Sequence, residues 1–272
     1  MEIAAGAVAF VTGGAGGIGR GIAEALAEQG ARIALADRDE AELAVAVHEM
    51  SSAGAEVIAV PFDVTDRDSW TQASNSVHES LGPVQVLVNN AGVSTLGVPF
   101  DEVAPTVWDR VVAINLTAVY DGIRTFLDDL IRTHGYIVNT ASAGGLAGAP
   151  LLAPYSATKA AVIALSESLN AELAEAGVGV SALCPGGVRS RLWRTSRAIR
   201  GLPDAGVPPD DLSGQSATAA MLPIEVGRRV VNGIRHADLY IMTHPGLRAI
   251  TDQRSERINA GWDSAARFAA ST

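Results

Sequence analysis

Apolar residues along this chain gather in short runs of strand length, and between the runs they recur at helical spacing. The runs fall at 7–11, 32–36, 56–62, 84–88, 135–142, 178–184 and 239–242. After the first of them Ile22, Ala23, Leu26 and Ala27 repeat at the intervals of a helix with one buried face. The same pattern predicts helices after Asp37, from 66 to about 81 with Gly82-Pro83 as a stop, and from about 105 to 130. Further helices are predicted from 154 to about 173, from 223 to about 236 and from 247 to about 268. Strands this uniformly apolar belong to a parallel sheet covered on both sides. The predicted fold is therefore α/β: a doubly wound, mostly parallel, seven-stranded sheet with helices on both faces. Right-handed crossovers bring the C-terminal ends of the strands to one edge. Gly13, Asp37, Asp63 and Asn90 fall at that edge, where open α/β sheets bind ligands.

From about 189 to 222 the periodicity lapses in favour of Gly201, Pro203, Gly206, Pro208-Pro209 and Ser213-Gly214. A non-periodic stretch of that length within a compact domain marks a functional loop, here a substrate lid. No repeat or composition break divides the chain, so residues 1–272 are expected to form one domain, with a C-terminal helical extension at about 245–272. Apolar residues make up 48% and charged residues 18%, a globular composition. The net charge of -10 disfavours phosphate backbones and anionic membrane surfaces, so neither nucleic acid nor membrane is expected as a partner. A single cysteine, Cys184, excludes an intrachain disulfide and suits a reducing compartment. Glu2 stands where a signal peptide wants base, and the first apolar run reaches Gly13 too soon to span a bilayer. A cytoplasmic location is expected.

Candidate chemistry begins where the first run meets Thr12-Gly13-Gly14-Ala15-Gly16-Gly17-Ile18-Gly19. Strand, glycine turn and helix in succession let backbone approach a pyrophosphate at a helix N-terminus. Asp37 closes the second strand 18 residues past Gly19, where a nucleotide-binding βαβ unit places a carboxylate for the adenosine ribose hydroxyls. The competing assignment is a helix N-cap. A carboxylate there repels a 2′-phosphate, so NAD is the expected cofactor; Arg38 beside it keeps NADP as the second choice. Asn115 is an amide inside the apolar run 111–116, a poor helix-interior residue that calls for solvent or a buried partner. Tyr155 and Lys159 lie four apart at the start of a helix opened by Pro154, and so share one face. A free phenol titrates at about 10. A fixed ammonium beside it is expected to lower that value and make a base for neutral pH.

Together these motifs resemble the short-chain dehydrogenase/reductase family in its compact, single-domain, Rossmann-type branch. The matching residues are T-G-x-x-x-G-x-G at 12–19, N-N-A-G at 89–92, Asn115, Ser142, Y-x-x-x-K at Tyr155 and Lys159, and P-G at Pro185-Gly186, in the family's order over roughly 5–245. The resemblance implies hydride transfer between a nicotinamide cofactor and a secondary alcohol or ketone. It implies Tyr155 as the acid/base at the substrate oxygen and Ser142 as the group that orients that oxygen. Lys159 would hold the nicotinamide ribose, and Asn115 would anchor a water linking Lys159 to solvent. Gly13, Gly16, Gly17, Ile18 and Gly19 would cradle the dinucleotide, with Asp37 and Arg38 at the adenosine end. Asp63 and Val64 would flank the adenine, and Asn90, Ala91 and Gly92 the adenosine ribose. Pro185, Gly186, Val188 and Ser190 would border the carboxamide, Ser190 standing where the family commonly has threonine.

The run Leu239-Tyr240-Ile241-Met242-Thr243-His244-Pro245 followed by a helix is similar to members that oxidise bulky aryl or alicyclic alcohols. A homo-oligomer, dimer or tetramer, is implied through the helices holding Asn115 and Tyr155. The alternatives are an NADP-dependent carbonyl reductase and, in a different class, a dinucleotide-sensing protein without catalysis. The glycine spacing and chain length disfavour a sugar-nucleotide epimerase. In the lid, Arg189, Arg191, Arg194, Arg197 and Arg200 either pair with Asp204, Asp210 and Asp211 or meet an anionic substrate group. Trp193 is expected to face substrate or anchor the lid. Cys184 lies in apolar sequence and is not a candidate nucleophile. The five histidines show no ligand spacing, so no metal is expected.

Overall fold

The apolar runs become strands β1 (Val8–Thr12), β2 (Arg32–Asp37), β3 (Val57–Pro61), β4 (Val84–Asn89), β5 (Tyr136–Thr140), β6 (Gly179–Cys184) and β7 (Tyr240–Met242) in a computed structural model that describes residues 2–95, 97–202 and 220–271. They form one sheet in the order β3-β2-β1-β4-β5-β6-β7, every neighbouring pair parallel. The interior strands β1 and β5 are buried at every position, whereas the edge strands β3 and β7 include exposed positions.

Helices α1 (Gly17–Ala27), α2 (Glu40–Ser52) and α9 (Pro223–His236) supply one core layer; α3 (Arg67–Ser80), α5 (Ala118–Thr133) and α7 (Ala153–Glu172) supply the other. The two-residue period of β1 divides its side chains between the layers, Phe10 into the second and Ala9 and Val11 into the first. Phe10 stacks at a tilt on Phe126 with centroids 4.7 Å apart, and Phe62 meets Trp70 edge-on at 4.9 Å. The chain winds outward from β1 to β3, then returns past β1 to β4. The crevice between the ends of β1 and β4 is the topological switch point.

Three features of the helices bear on function. The helix expected over 105–130 is α4 (Pro105–Val112), a π-helical turn at Ala113–Thr117, then α5. The stretch expected to be aperiodic contains α8 (Leu192–Ile199); its part at 203–219, with Asp204, Asp210 and Asp211, lies outside the described residues. The final helix α10 (Arg248–Ser271) has no buried residue and is exposed throughout apart from half-buried Thr251. Among the described residues no helix is long and apolar enough to cross a membrane.

Helices α1 and α9 cross at a glycine–glycine contact. A Cβ on Gly21 would strike the Pro223 carbonyl, and one on Gly227 would strike the carbonyl of Gly21. Backbone cannot yield as a side chain does. Gly227→Ala is expected to destabilise the protein by about 1–3 kcal/mol in urea unfolding. Gly261→Ala, whose new methyl group meets nothing within 4 Å, serves as the control and does not lower the midpoint, alanine being the better helix former.

Candidate active site

Thr12 ends β1 and ties the switch point together. Its hydroxyl accepts from Asn90 N at 2.9 Å and Ala91 N at 3.0 Å, and Asn90 Nδ2 donates to the Thr12 carbonyl at 2.9 Å. This seats N-N-A-G against the glycine turn. Gly13 and Gly17 hold φ of 64° and 55°, the left-handed region that disfavours a side chain. A Cβ on Gly13 would also come within 2.9 Å of Asn90 Nδ2. The backbone is thereby bared toward a cleft lined on this side by Gly13, Gly16, Gly17, Ile18, Asn90, Ala91 and Gly92. Gly19 is not in the lining; it packs on the Gly13 carbonyl, where a Cβ would collide.

Asp37 and Arg38 line the same cleft. Asp37 Oδ2 accepts from Ala15 N and Oδ1 from Asp39 N, each at 3.2 Å. The N-cap of α2 is Asp39, whose side chain accepts from Glu42 N at 3.1 Å, so the capping assignment for Asp37 gives way. Asp63 lies outside the lining, committed to Thr65 N and Oγ1 at 2.9 and 2.7 Å and to Arg110 Nη2 at 2.8 Å. Burial pushes its carboxyl up, but the bonds from Thr65 and Arg110 outweigh this and hold it below the usual range. Val64 is a core residue whose carbonyl accepts from Trp70 Nε1 at 3.0 Å.

On the far wall, Tyr155 and Lys159 project from the first turns of α7 into the cleft. Lys159 is buried and donates to the Thr140 carbonyl at 2.6 Å; its Nζ lies 5.9 Å from the Tyr155 ring centroid. The expected acidified phenol is not what the structure shows. Burial pushes the Tyr155 phenol up, opposed by a hydrogen bond with Ser142. The one-turn spacing puts both side chains on one face, but the ammonium reaches past the ring to the end of β5 instead of to the hydroxyl. Burial lowers Lys159 to about 8, with a smaller opposing influence from Cys184. The Cys184 thiol is pushed by burial up to about 12.

Ser142 caps the short helix α6 (Ala143–Leu146), its Oγ accepting from Gly144 N at 3.1 Å. It is outside the lining yet beside Tyr155: a Cβ on Gly144 would sit 3.6 Å from both Ser142 Oγ and Tyr155 Cε1. Asn115 is fully buried in the π-helical turn, behind the cleft. Its Oδ1 accepts from Val93 N at 2.9 Å, and its Nδ2 donates to Val93 O at 2.9 Å and Thr158 Oγ1 at 3.1 Å. The amide is engaged through both its oxygen and its nitrogen, and it binds the loop after β4 to α7. A π turn at this point satisfies an amide that a regular helix interior would strand.

Pro185 and Ser190 line the cleft, while Gly186 and Val188 do not. Gly186 N donates to Thr243 Oγ1 at 3.1 Å and His244 Nδ1 at 3.2 Å, and Val188 bridges to Met221. Trp193 is also outside the lining, its ring 5.4 Å from the Arg197 guanidinium carbon. Of the lid arginines singled out in the sequence, Arg191 and Arg194 line the cleft; sequence reasoning missed Thr140 and Ala141 at the end of β5, Asp39, and Leu192, Thr195 and Ala198 of α8. The available signal was Leu192, Ser196 and Ile199 at helical spacing, obscured by the glycines and prolines that follow. Ser196 is buried and accepts from Ser94 N at 2.7 Å, which docks α8 across the cleft mouth.

With this geometry in place, comparison with known proteins agrees with it. The family described as short chain dehydrogenase matches residues 7–200. The chain is 34% identical over 218 residues to a 2,5-dichloro-2,5-cyclohexadiene-1,4-diol dehydrogenase of Sphingobium indicum, covering 80% of this chain and 82% of that one. A short chain dehydrogenase/reductase from Burkholderia phymatum in complex with NAD superposes with a TM-score of 0.88 at 33% identity, over 96% of this chain and 97% of that one. An actinorhodin polyketide ketoreductase variant with NADPH superposes with a TM-score of 0.77 at 32% identity, over 89% and 97%.

Burial of Lys159 has a measurable consequence. Between about 8 and the ordinary lysine value of 10.5 the unfolded chain binds more protons at this residue than the folded one, so folded stability rises with pH. The stability of the wild type minus that of Lys159→Met is expected to grow from pH 8 to 10 in urea titrations. A difference independent of pH would place the ammonium in water.

Proposed function

The chain belongs to the short-chain dehydrogenases and is an oxidoreductase of that family, and from this premise we propose that it interconverts a secondary alcohol and a ketone with NAD. The supporting observation is that Tyr155 and Lys159 share one cleft with the glycine turn and Asp37. That cleft fits a dinucleotide: the turn is bare of Cβ atoms where Gly13 and Gly17 take left-handed backbone, and a carboxylate stands at the end of β2. Gly13, Gly16 and Gly17 would hold the pyrophosphate, Asp37 the adenosine ribose, Lys159 the nicotinamide ribose, and Ser190 with Pro185 the carboxamide side. The bound nicotinamide supplies or accepts the hydride.

The chain's own residues handle the proton. Burial keeps the Tyr155 phenol protonated at neutral pH, fit to donate to a carbonyl oxygen in the reductive direction. Ser142, beside the phenol, orients that oxygen by hydrogen bonding. Asn115 serves as a positioning residue by fixing α7 through Thr158. Docked α8 forms one wall of the cleft mouth and limits water at the reacting atoms. A bulky cyclic alcohol is the proposed substrate class, supported by the cyclic diol in the name of the Sphingobium relative. Arg38, in the cleft beside Asp37, supports NADP as the second reading. Assembly into a homo-oligomer is part of the proposal, supported by exposed Trp108, Tyr120 and Ile131 on α4 and α5. A reducing, cytoplasmic setting accords with the single buried thiol.

Assayed on a panel of cyclic secondary alcohols with NAD and NADP in parallel, Tyr155→Phe is expected to lower kcat by a factor on the order of 100 to 10,000. NADH binding measured by fluorescence should stay within about twofold, because the hydroxyl alone is lost. Substantial remaining turnover would mean that the proton passes elsewhere. Asp37→Ser is expected to shift the NADP-to-NAD ratio of kcat/KM toward NADP by roughly 10- to 100-fold, the loss expected for hydrogen bonds to a charged group. An unchanged ratio would remove Asp37 from the ribose.

A further inference from the structure

Arg191 occupies an unusual place for a cation. Its guanidinium lies directly over Gly16, so that a Cβ there would collide with Nη2 and come within 2.6 Å of Nε. The adjoining residue Gly17 is the first of α1, whose N-terminal end already carries partial positive charge. A guanidinium at that end is electrostatically adverse unless an anion joins them. In this structure the anion is Glu42 of α2, whose Oε2 is 2.9 Å from Arg191 Nη1; Arg194 Nη1 stands 3.9 Å from the other oxygen. The pair forms a wall between the dinucleotide cleft, which Arg191 lines, and an outer depression that both residues line. Arg191 is also the N-cap residue of α8, the helix held to the β4 loop by Ser196.

We propose that Arg191 is a lid-borne ligand for the pyrophosphate of the dinucleotide, and that Glu42 holds it in readiness until the pyrophosphate takes its place. The inference rests on the dinucleotide reading of the cleft given above. A guanidinium presents a planar fork of donors that matches phosphate oxygens, whereas a half-exposed pair with one carboxylate is worth little and is readily exchanged. The exchange moves no covalent bond and needs only rotation of two surface side chains. It adds a bond through bound nucleotide between the glycine turn and the start of α8, which already lies against that turn, and so couples cofactor occupancy to seating of the lid. Of the anions considered for the lid arginines, the cofactor's phosphates suit Arg191 better than a substrate group, because its guanidinium sits at the glycine turn.

The test is calorimetric titration of ADP, adenosine and NADH into wild type, Arg191→Ala, Arg191→Lys and Glu42→Gln. Arg191→Ala is expected to weaken ADP and NADH roughly 10- to 100-fold while leaving adenosine unchanged, with Arg191→Lys recovering part of the loss. Glu42→Gln, which removes the competitor and not the ligand, should tighten ADP roughly two- to fivefold. ADP affinity equal in wild type and Arg191→Ala would overturn the assignment, as would a raised alcohol KM with ADP binding intact, which would make Arg191 a lid strut. Weaker or unaltered ADP binding by Glu42→Gln would overturn the exchange. A wild type that bound neither ADP nor NADH would remove the dinucleotide reading itself, a result distinct from either.

Discussion

A buried ammonium must be given partners, and that requirement organises the site. Lys159 meets the carbonyl at the end of β5, and this single contact sets the depth of α7 against the sheet edge. From there the bonds continue. Thr140 Oγ1 reaches Asn90 Oδ1 at 3.4 Å, and Asn90 is bound to Thr12 at the end of β1. On the other side, Thr158 joins the Tyr155 carbonyl at 2.9 Å to Asn115, and Asn115 holds Val93. Elements far apart in the chain are thus connected by hydrogen bonds between groups that burial has deprived of water.

The sheet makes that network attainable. Parallel strands with right-handed crossovers deliver every C-terminal end to one edge, so each loop there begins from a rigid, buried strand. Close helix packing serves the same end. Gly21 and Gly227 let α1 and α9 approach through their backbones, which fixes α1 and with it the glycine turn. The rigid wall of the cleft is therefore built by the core, and the adjustable wall by α8 and its arginines.

Burial also decides proton chemistry. Tyr155 and Lys159 are moved in opposite directions by the same loss of water, the phenol up and the amine down to about 8. Both shifts favour the neutral forms, and they set the amine well below the phenol, where the ordinary values nearly coincide. Attraction between the pair, which spacing alone suggests, is the weaker influence because the amine is directed at Thr140.

The alternation of apolar runs and helical periods determined the strands, the parallel sheet and the edge where the motifs collect, because those depend on local burial pattern and on the handedness of the chain. The strand limits agree with the pattern to within a residue or two, and Tyr155, Lys159, Asp37 and the glycine turn come together as their positions at strand and helix ends require. Other features were set by neighbours distant in sequence. Asn115 breaks a long helix with a π turn because Val93 and Thr158 are its partners; Asp39 caps α2, leaving Asp37 toward the glycine turn; and Lys159 turns from the phenol to a carbonyl. Leu192 to Ile199 is too short to hold as a helix by its own propensity, and it forms where Ser196 finds a buried backbone donor. Period and spacing say which face a residue shares; which group it touches across that face is settled by packing, since a buried polar atom takes whichever partner the fold brings within reach.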